Sequence, residues 1–153
     1  MDIGCGTGAF LSCLAELGYD VTGVDIAEAM IRQARKSTAK WTIDLRVGDA
    51  TKGLPFPDKS FDVVISSYVI HGVSADLRRK IYREATRLAR RLVVFHEYYK
   101  KRQLLTDIVE WAEGGDYFNF IREGEKEMRE AFAGVSIIEI APQTAWYICT
   151  PGV

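Results

Sequence analysis

The feature that most constrains this chain is a glycine-rich segment close to its start, DIGCGTG at residues 2–8. The apolar positions between residues 10 and 17 predict one face of a helix that ends at Gly18. Glycines let a ligand approach the backbone closely, and a helix N-terminus offers free N–H groups and the positive end of its dipole. The segment therefore predicts a strand, a ligand-binding loop and a helix in succession.

Three acidic residues lie at the ends of three consecutive predicted strands: Asp2, Asp25 and Asp49. The carboxyl ends of parallel strands meet at one edge of a sheet, so we expect these carboxylates around the glycine loop. Asp2 suits an ammonium group, Asp25 suits ribose hydroxyls, and Asp49 suits the exocyclic amine of adenine. A carboxylate on the same ligand suits the helix N-terminus. Together these features predict a pocket for an aminoacyl nucleoside.

Short apolar runs alternate with helical patterns along the rest of the chain, which predicts a doubly wound α/β domain with a parallel sheet. The predicted order is β-α-β-α-β-β-α-β-α-α-β-β, in a single domain of residues 1–153. A short turn joins the β runs at 135–140 and 145–149, which implies an antiparallel hairpin.

Local signals predict where several elements begin and end. The spacing of Asp25 and Glu28 predicts a capping box at a helix start, and Ser74 is the predicted cap of a long helix. The apolar patterns also predict a strand at 92–95 and a helix at 123–132.

The composition is that of an ordinary folded domain. Apolar residues make up 48% of the chain and charged residues 27%, which excludes a disordered chain. A net charge of −1 disfavours a general electrostatic attraction to nucleic acid. No apolar run approaches the roughly 18–20 residues of a membrane span, so no membrane association is expected. The three cysteines are odd in number and lack metal-ligand spacing, which predicts a reducing cytoplasm and no metal site.

The glycine segment also matches a dinucleotide-binding fingerprint, Gly4-x-Gly6-x-x-Ala9. In such sites an acidic residue follows the glycines by about 20 residues, and Asp25 lies close to that position. This alternative is a nicotinamide-dependent oxidoreductase. Asp2 argues against it, because its negative charge would face a pyrophosphate. The chain also has no room for the substrate domain that a dehydrogenase usually carries. A non-catalytic module that binds a cofactor or a partner chain is a further alternative.

From residue 2 to about residue 73, the chain resembles the class I S-adenosylmethionine-dependent methyltransferases. The matching segments are DIGCGTG at 2–8, VD at 24–25, GDA at 48–50 and SFDVV at 60–64. LPFPD at 54–58 is typical of the subgroup that acts on small molecules. The resemblance implies a three-layer, Rossmann-like sheet of seven strands, mostly parallel, with a C-terminal antiparallel hairpin.

The resemblance also implies S-adenosylmethionine as the cofactor, no metal, and methyl transfer to a small-molecule acceptor. The cofactor-binding positions that it implies are Asp2, Gly4, Cys5, Gly6, Gly8, Asp25, Ile26, Asp49, Ala50 and Ser66. Family members carry a helix and a full first strand before the acidic position, whereas only Met1 precedes Asp2 here. The expectation is therefore an N-terminally shortened domain with a truncated first strand.

Candidates for the acceptor side follow the fourth and fifth predicted strands. Tyr68 and His71 are the candidate catalytic residues, because a histidine titrates near neutral pH and can act as a base. A histidine that only packs or hydrogen-bonds at a helix start is the alternative for His71. His96, Glu97 and Tyr98 lie at the end of the next strand, on the ligand side of such a sheet, with ordinary strand-end polarity as the alternative.

Motifs of two nucleic-acid-modifying branches are absent from the sequence. No Asn/Asp-Pro-Pro-aromatic segment follows the fourth strand, and no Pro-Cys pair occurs. Nucleic acid is therefore a disfavoured acceptor. Assembly into a homo-oligomer is left open.

The last third of the chain contains a candidate lid at residues 101–121. A helix is predicted at 103–113, and aromatic residues beside Gly114 and Gly115 suit a mobile cover that excludes water. The aromatic residues are Trp111, Tyr117, Phe118 and Phe120. Packing as a satellite core is the alternative for them.

Seven basic residues make the predicted long helix after Ser74 strongly basic, and a further basic run, KKR, follows at 100–102. A solvated outer face is the expected role of these side chains, because apolar residues already occupy the inner face of the helix. The basic positions are Arg78, Arg79, Lys80, Arg83, Arg87, Arg90 and Arg91.

Overall fold

Seven strands form one sheet in the order β3-β2-β1-β4-β5-β7-β6, in a computed structural model that describes residues 1–99 and 114–152. The strands are β1 (Asp2–Ile3), β2 (Thr22–Asp25), β3 (Asp44–Val47), β4 (Phe61–Ser67), β5 (Ala89–Tyr98), β6 (Gly134–Ala141) and β7 (Thr144–Thr150). The helices are α1 (Ala9–Glu16), α2 (Glu28–Ser37), α3 (Ala75–Leu88) and α4 (Tyr117–Ala131), and one turn of 3-10 helix spans Ile70–Gly72.

The pairing of the strands confirms the predicted doubly wound α/β topology. Strands β1 to β5 pair in parallel, whereas β7 pairs antiparallel with both β5 and β6. The first strand is short, as predicted, and central, with Asp2 opposite Gly23 of β2 and Ile65 of β4. The carboxyl ends of the five parallel strands therefore lie at one edge of the sheet.

Helices cover the two faces of the sheet to different extents. Residues such as Val93 and Phe95 of β5 are fully buried with Leu88 of α3, on the face where α3 and α4 pack. On the opposite face, α1 and α2 pack over the β1–β3 half, where Leu11 and Leu45 are buried. Helices therefore pack on opposite faces in the two halves of the sheet.

The face that α1 and α2 leave uncovered, over β5, β7 and β6, is apolar. Leu92, Ile138, Ile140 and Trp146 on this face are between 37% and 48% exposed. The next residue along a strand points to the opposite face of the sheet, so Val93, which follows Leu92, is fully buried under the helices. Among the described residues, this part of the sheet is covered by helices on one face only.

The predicted capping box at the start of α2 is wrong. The helix begins at Glu28 with Ala27 as its N-cap, and no side chain caps it. Asp25 is instead the last residue of β2, and its carboxylate accepts the backbone N–H groups of Gly6 and Ala27. Ser74 does lie at the N-cap of α3, as predicted, although its side chain makes no capping hydrogen bond.

Both β5 and α4 are longer than the apolar pattern predicts. β5 covers Ala89–Tyr98 rather than 92–95, because pairing with β4 and β7 continues through polar residues. α4 begins at Tyr117 rather than at 123, because Tyr117 and Phe120 are core residues, each 1% exposed. Gly18, with φ 85°, follows the end of α1 as predicted.

The aromatic residues of the candidate lid are described in part. The burial of Tyr117 and Phe120 agrees with the alternative of a packed aromatic core, whereas Phe118 is 38% exposed. The predicted helix at 103–113 and Trp111 lie outside the described residues. A lid formed by residues 101–113 therefore stays a prediction.

Arg78 contradicts the prediction that the basic residues of α3 form a solvated face. Its side chain is fully buried, and its Nε and Nη2 donate to Glu127 of α4 at 2.7 and 3.0 Å. Its Nη1 donates to Asp116 at 2.9 Å and to the carbonyl of Val73 at 2.7 Å. The guanidinium therefore joins α3 to α4 and to the turn before α3. Arg79, in contrast, is half exposed, as expected. Arg90 and Arg91 do not belong to the helix, because α3 ends at Leu88 and both residues lie in β5.

Candidate functional site

The glycine loop, residues 4–8, connects β1 to α1 through backbone conformations that favour glycine. The φ angle is 76° at Gly4, 52° at Gly6 and 80° at Gly8, which is the N-cap of α1. A Cβ on Gly4 would lie 2.4 Å from Cγ2 of Val69. The lack of a side chain at Gly4 therefore lets the segment after β4 pack directly against the glycine loop.

Asp25 holds the glycine loop from the end of β2. Its Oδ2 accepts the N–H of Gly6 at 2.9 Å, and its Oδ1 accepts the N–H of Ala27 at 2.8 Å. A carboxylate has about four acceptor positions. After these two bonds, acceptor positions are left for donors such as ribose hydroxyls.

Asp2 and Ser66 place buried polar atoms one residue before the carboxyl ends of β1 and β4. Asp2 is 2% exposed and Ser66 is 1% exposed. Within residues 1–99 and 114–152, neither Oδ1 of Asp2 nor Oγ of Ser66 has a hydrogen-bond partner. Burial raises the pKa of the Asp2 carboxyl to about 7. Because buried polar groups are normally paired, both side chains fit a polar ligand, and Asp2 fits a cationic one.

Asp49 lies two residues beyond β3 in a turn that its own side chain stabilises. Its Oδ1 accepts the hydroxyl and the backbone N–H of Thr51 at 2.7 and 2.9 Å, and its Oδ2 lies 3.0 Å from Nζ of Lys52. The hydrogen bonds from Thr51 and Lys52 lower the pKa of Asp49 to about 2, so the carboxylate is anionic at neutral pH. Ala50 beside it is buried in the main core.

The remaining predicted cofactor positions differ in burial. Cys5 is buried, and burial raises the pKa of its thiol to about 12, so the thiol is neutral. Ile26, directly after β2, is 68% exposed and presents apolar surface beside Asp25. The predicted positions do meet at one edge of the sheet. Their roles in binding a cofactor stay predictions.

A buried carboxylate holds the candidate catalytic histidine. Nδ1 of His71 lies 2.7 Å from Oε2 of Glu97, near the end of β5. Oε1 of Glu97 accepts the N–H groups of Val69 and Ile70 at 2.7 and 2.8 Å. Glu97 is fully buried and His71 is 8% exposed. Glu97 therefore orients both the imidazole and the backbone of the turn that carries it.

Tyr68 has a left-handed backbone conformation, with φ 54°, which is uncommon for a residue with a side chain. Its N–H donates to the carbonyl of His96 at 2.9 Å, and its hydroxyl lies 2.9 Å from Oγ1 of Thr144 at the start of β7. The residue is 41% exposed. Contacts with two strands thus stabilise the conformation and place the phenol ring over the ends of β5 and β7.

Five rings pack edge to face beside this turn, and we call them the aromatic cluster. The ring centroid of Tyr68 lies 4.7 Å from His96 and 5.1 Å from Tyr98. The centroid of Tyr98 lies 4.9 Å from His71 and 5.0 Å from Tyr117. Such contacts stabilise aromatic pairs beyond the area that they bury. The cluster consists of Tyr68, His71, His96, Tyr98 and Tyr117.

Besides the contact between Glu97 and His71, three contacts at this site were not predicted from the sequence. They join Val69 to Gly4, Thr144 to Tyr68, and Ser67 to His96, whose Nδ1 lies 2.8 Å from the serine Oγ. Burial lowers the pKa of His96. Thr144 is 76 positions from Tyr68, and the sequence signal for it was only a polar residue in the turn of the predicted hairpin.

Other kinds of site are not seen in the part of the chain that the structure describes. It holds no group of three or more His, Cys, Asp or Glu residues that could bind a metal ion. No helix in this part is long and apolar enough to cross a membrane. A cavity of about 290 Å³ lies between α3 and α4, with Arg79, Arg83 and Glu127 in its lining. The strand ends and their buried polar groups, rather than that cavity, therefore define the candidate site.

Comparison with known proteins agrees with this arrangement. Residues 1–95 match the model of a family described as a methyltransferase domain. Demethylmenaquinone methyltransferase from Tropheryma whipplei (strain Twist) is 40% identical over 77 residues, which are 48% of this chain and 30% of that protein. Aklanonic acid methyltransferase DauC from Streptomyces sp. (strain C5) is 47% identical over 77 residues, which are 46% of this chain and 34% of that protein. The matches thus span about a third of the length of these relatives.

A solved structure shares the fold over nearly the whole chain. The crystal structure of the PH0226 protein from Pyrococcus horikoshii OT3 superposes with a TM-score of 0.80 at 24% identity. The match covers 99% of this chain and 80% of that chain, so it extends beyond the 95 residues of the family match. With its glycine loop, strand-end acids and strand order, the chain therefore belongs to the class I S-adenosylmethionine-dependent methyltransferase family.

Proposed function

We propose that this chain binds S-adenosylmethionine and transfers its methyl group to a small-molecule acceptor. The observation that carries the proposal is the carboxylate of Asp2, which is 2% exposed beside the glycine loop. Its Oδ1 has no partner among the described residues. An ammonium group would pair with this oxygen, and the amino acid end of the cofactor carries one.

The glycine loop and α1 suit the carboxylate at the same end of the cofactor. α1 begins directly after Gly8, and its first turn contains no acidic residue that would repel an anion. Asp2 and this helix N-terminus would thus hold the two charges of a zwitterion. Ser66 adds a buried hydroxyl next to them.

The ends of β2 and β3 suit the nucleoside. Asp25 has acceptor positions left for ribose hydroxyls after it binds the two backbone N–H groups. Asp49 is an anionic acceptor for the exocyclic amine of adenine. Ile26 and Ala50 supply apolar surface beside these acids.

The same residues disfavour a nicotinamide dinucleotide. Its pyrophosphate would lie at the glycine loop, close to the buried Asp2. At such low exposure, two like charges repel strongly, because the surroundings screen them poorly. A binding module without turnover is a second alternative, which an assay has to separate from an enzyme.

When bound, S-adenosylmethionine supplies an activated methyl group for in-line displacement, so the protein contributes mainly proximity and orientation. The segment after β4 suits this task, because Val69 packs against Gly4 of the cofactor loop. Tyr68 and His71 flank Val69 and are the proposed acceptor-side residues. We assign His71 the role of a base for acceptors that must lose a proton.

A small-molecule acceptor is supported by two observations. Two relatives that match nearly half of the chain are named for demethylmenaquinone and aklanonic acid, both small organic compounds, although another relative is named for 18S rRNA. The net charge of −1 gives no general attraction to nucleic acid. We place the protein in the cytoplasm, where its three free cysteines would stay reduced.

Calorimetric titration of the chain with S-adenosylhomocysteine, and separately with NAD, tests the cofactor. We expect binding of S-adenosylhomocysteine at about micromolar concentration and none of NAD, and the reverse result would overturn the proposal. A methyl-transfer assay with a panel of metabolites and RNA tests the rest. Turnover with no member of the panel favours the binding module, and turnover with RNA alone contradicts a small-molecule acceptor.

A further inference from the structure

We infer that Arg78 is a positioning residue for the acceptor side of the site, because it fixes the start of α4 against the turn that carries His71. The inference rests on the proposed methyl transfer and gives a role to a cation that the sequence pattern placed on a solvated surface. It is carried by the contacts that join residues 70–78 to residues 115–127.

The start of α4 lies directly on the turn that carries His71. A Cβ added to Gly115 would meet Cα and the carbonyl oxygen of Gly72 at 3.1 and 3.2 Å, so the two backbones approach without an intervening side chain. Gly72 is the last residue of the 3-10 turn. Tyr117, the first residue of α4, packs its ring edge to face with Tyr98 at 5.0 Å and with His71 at 6.4 Å. The position of this segment therefore sets one side of the surroundings of the imidazole.

One nitrogen of Arg78 joins both sides of this contact. Its Nη1 donates to the carbonyl of Val73 at 2.7 Å and to Oδ2 of Asp116 at 2.9 Å. Val73 directly follows the 3-10 turn, and Asp116 directly precedes α4. The same Oδ2 accepts the side-chain amide of Asn119 at 3.0 Å, whereas the carboxylate makes no capping hydrogen bond to the helix backbone. The contact with Arg78 therefore places the segment rather than capping the helix.

The rest of the guanidinium is fixed by α4 itself. Nε and Nη2 donate to the two carboxylate oxygens of Glu127 at 2.7 and 3.0 Å, and Cζ lies 5.6 Å from the ring centroid of Phe120. The side chain of Arg78 is fully buried. A bidentate pair fixes the direction of a guanidinium as well as its position. Nη1 is thereby held between Val73 and Asp116.

A buried ion network of this kind accounts for orientation better than for stability. Removing charges from water costs free energy that their attraction does not always recover, and apolar side chains of similar volume often join two helices as well. Directional bonds to three partners, by contrast, favour one arrangement of the elements that carry them. In methyl transfer the protein contributes mainly orientation, so a fixed arrangement on the acceptor side is of direct use.

Glu97 holds the same turn from β5 through hydrogen bonds of its own. Its Oε1 accepts the N–H groups of Val69 and Ile70, and Val69 packs on Gly4 of the glycine loop. Loss of the contacts of Arg78 should therefore release the start of α4, while the turn and the glycine loop keep their places. The inference thus predicts a large effect on the acceptor and a small effect on the cofactor.

Asp116→Ala tests this separation, because it removes one partner of the guanidinium and leaves the bidentate pair with Glu127. The side chain of Asp116 is 33% exposed, so the variant should still fold. Asp116→Asn is the rescue variant, since its amide oxygen still accepts from Nη1 of Arg78. Asp76→Ala is the matched control, because it also removes a carboxylate paired with an arginine of α3, Arg79, but at an exposed position.

Hydrogen exchange of backbone amides, measured by mass spectrometry in the complex with S-adenosylhomocysteine, tests the placement without an acceptor. The amide of Phe120 donates to the carbonyl of Asp116, so protection of α4 begins there. In Asp116→Ala we expect the amides at 120–123 to exchange about tenfold faster, and those of α1 and α2 at the wild-type rate. Asp116→Asn and Asp76→Ala should resemble the wild type. Unchanged exchange at 120–123, or a rise spread evenly over the chain, would overturn the inference.

Steady-state kinetics separates positioning from a general loss of folded protein. With an acceptor identified by the metabolite panel, Asp116→Ala should raise the KM for the acceptor and lower kcat/KM by about 10–10²-fold. The Kd of S-adenosylhomocysteine should change by less than about twofold. Partial unfolding would instead lower kcat and leave the KM values of acceptor and cofactor unchanged. That result, or an equal loss of cofactor affinity, would contradict a positioning role.

Failure of the proposed function gives a different result. A wild-type protein that methylates no member of the panel overturns methyl transfer, and the role of Arg78 on the acceptor side with it. Turnover that is present in the wild type and unchanged in Asp116→Ala overturns the role of Arg78 alone and leaves methyl transfer standing.

Discussion

Asp25 and Gly6 are joined by a hydrogen bond of 2.9 Å that connects the end of β2 to the glycine loop. The other oxygen of the same carboxylate accepts the N–H of Ala27, just before α2. The acid that we propose as the ribose ligand therefore also shapes the loop beside it. Substitution of Asp25 should therefore weaken cofactor binding and also change the conformation of the glycine loop.

Asp25→Ala is expected to weaken binding of S-adenosylhomocysteine by about 1–3 kcal/mol, because the ribose hydroxyls and the N–H groups of Gly6 and Ala27 lose their acceptor. Isothermal titration calorimetry measures the change. Asp44→Ala is the control, since Asp44 forms an exposed pair with Arg46 on β3. Unchanged affinity in Asp25→Ala would refute the proposed role of this carboxylate.

Gly4→Ala should destabilise the fold more than an alanine at another left-handed glycine. The backbone conformation at φ 76° costs about 1–2 kcal/mol for alanine, and the contact with Val69 adds an overpacking cost of about 1–3 kcal/mol. Gly53→Ala, at φ 87° with open space around its Cβ, should show the backbone cost alone. Urea denaturation compares the two, and equal losses would show that the glycine loop yields to Val69 without strain.

Cofactor affinity should rise as the pH increases through about 7. Burial raises the pKa of Asp2 to about 7, and an ammonium group pairs with this carboxyl only when it is ionised. Calorimetric titrations with S-adenosylhomocysteine on both sides of this pH measure the effect. The Asp2→Asn variant should bind S-adenosylhomocysteine more weakly, and its affinity should no longer change with pH around 7.

The stability of the ligand-free protein should change in the opposite direction. The folded-state pKa of Asp2 lies above its ordinary value of 3.8, so its protonated form is the one that folding favours. Its contribution to stability is present in full below about pH 3.8 and is lost as the pH rises to about 7. Thermal unfolding of wild type and Asp2→Asn over this range isolates the contribution. A difference between them that does not depend on pH would contradict the raised pKa.

Glu127→Ala should cost about 3–5 kcal/mol of the free energy of unfolding. The substitution leaves Arg78 fully buried without its bidentate carboxylate, and a buried charge that loses its partner is strongly destabilising. Asp76→Ala removes an exposed pair with Arg79 and should change stability by less than about 1 kcal/mol. Chemical denaturation measures both, and similar small losses would show that the Arg78 contact contributes little.

Local patterns predicted the parts of the site that depend on short stretches of chain. The glycine loop at 4–8 and the acids Asp2, Asp25 and Asp49 could be assigned to strand ends, because strand alternation and glycine spacing are local properties. The capping box failed for a non-local reason. The carboxylate of Asp25 accepts from Gly6, 19 positions away, so it does not cap α2 through Glu28.

The burial of Arg78 shows the same limit for charged residues. Helical spacing placed it among exposed basic side chains, but carboxylates from Asp116 and Glu127 make its burial favourable. Those partners lie 38 and 49 positions away. A sequence pattern on one helix carries no information about them.

The sequence alone determined the doubly wound sheet, the glycine loop and the strand ends where acids gather, because hydrophobic periodicity and glycine conformations act over a few residues. Only the tertiary structure decided that Glu97 orients His71, that Thr144 binds Tyr68 and that Val69 packs on Gly4. The physical reason is that burial and hydrogen-bond partners depend on which strands become neighbours. His71 and Glu97 are 26 positions apart, and the pairing of β4 with β5 brings them within 2.7 Å.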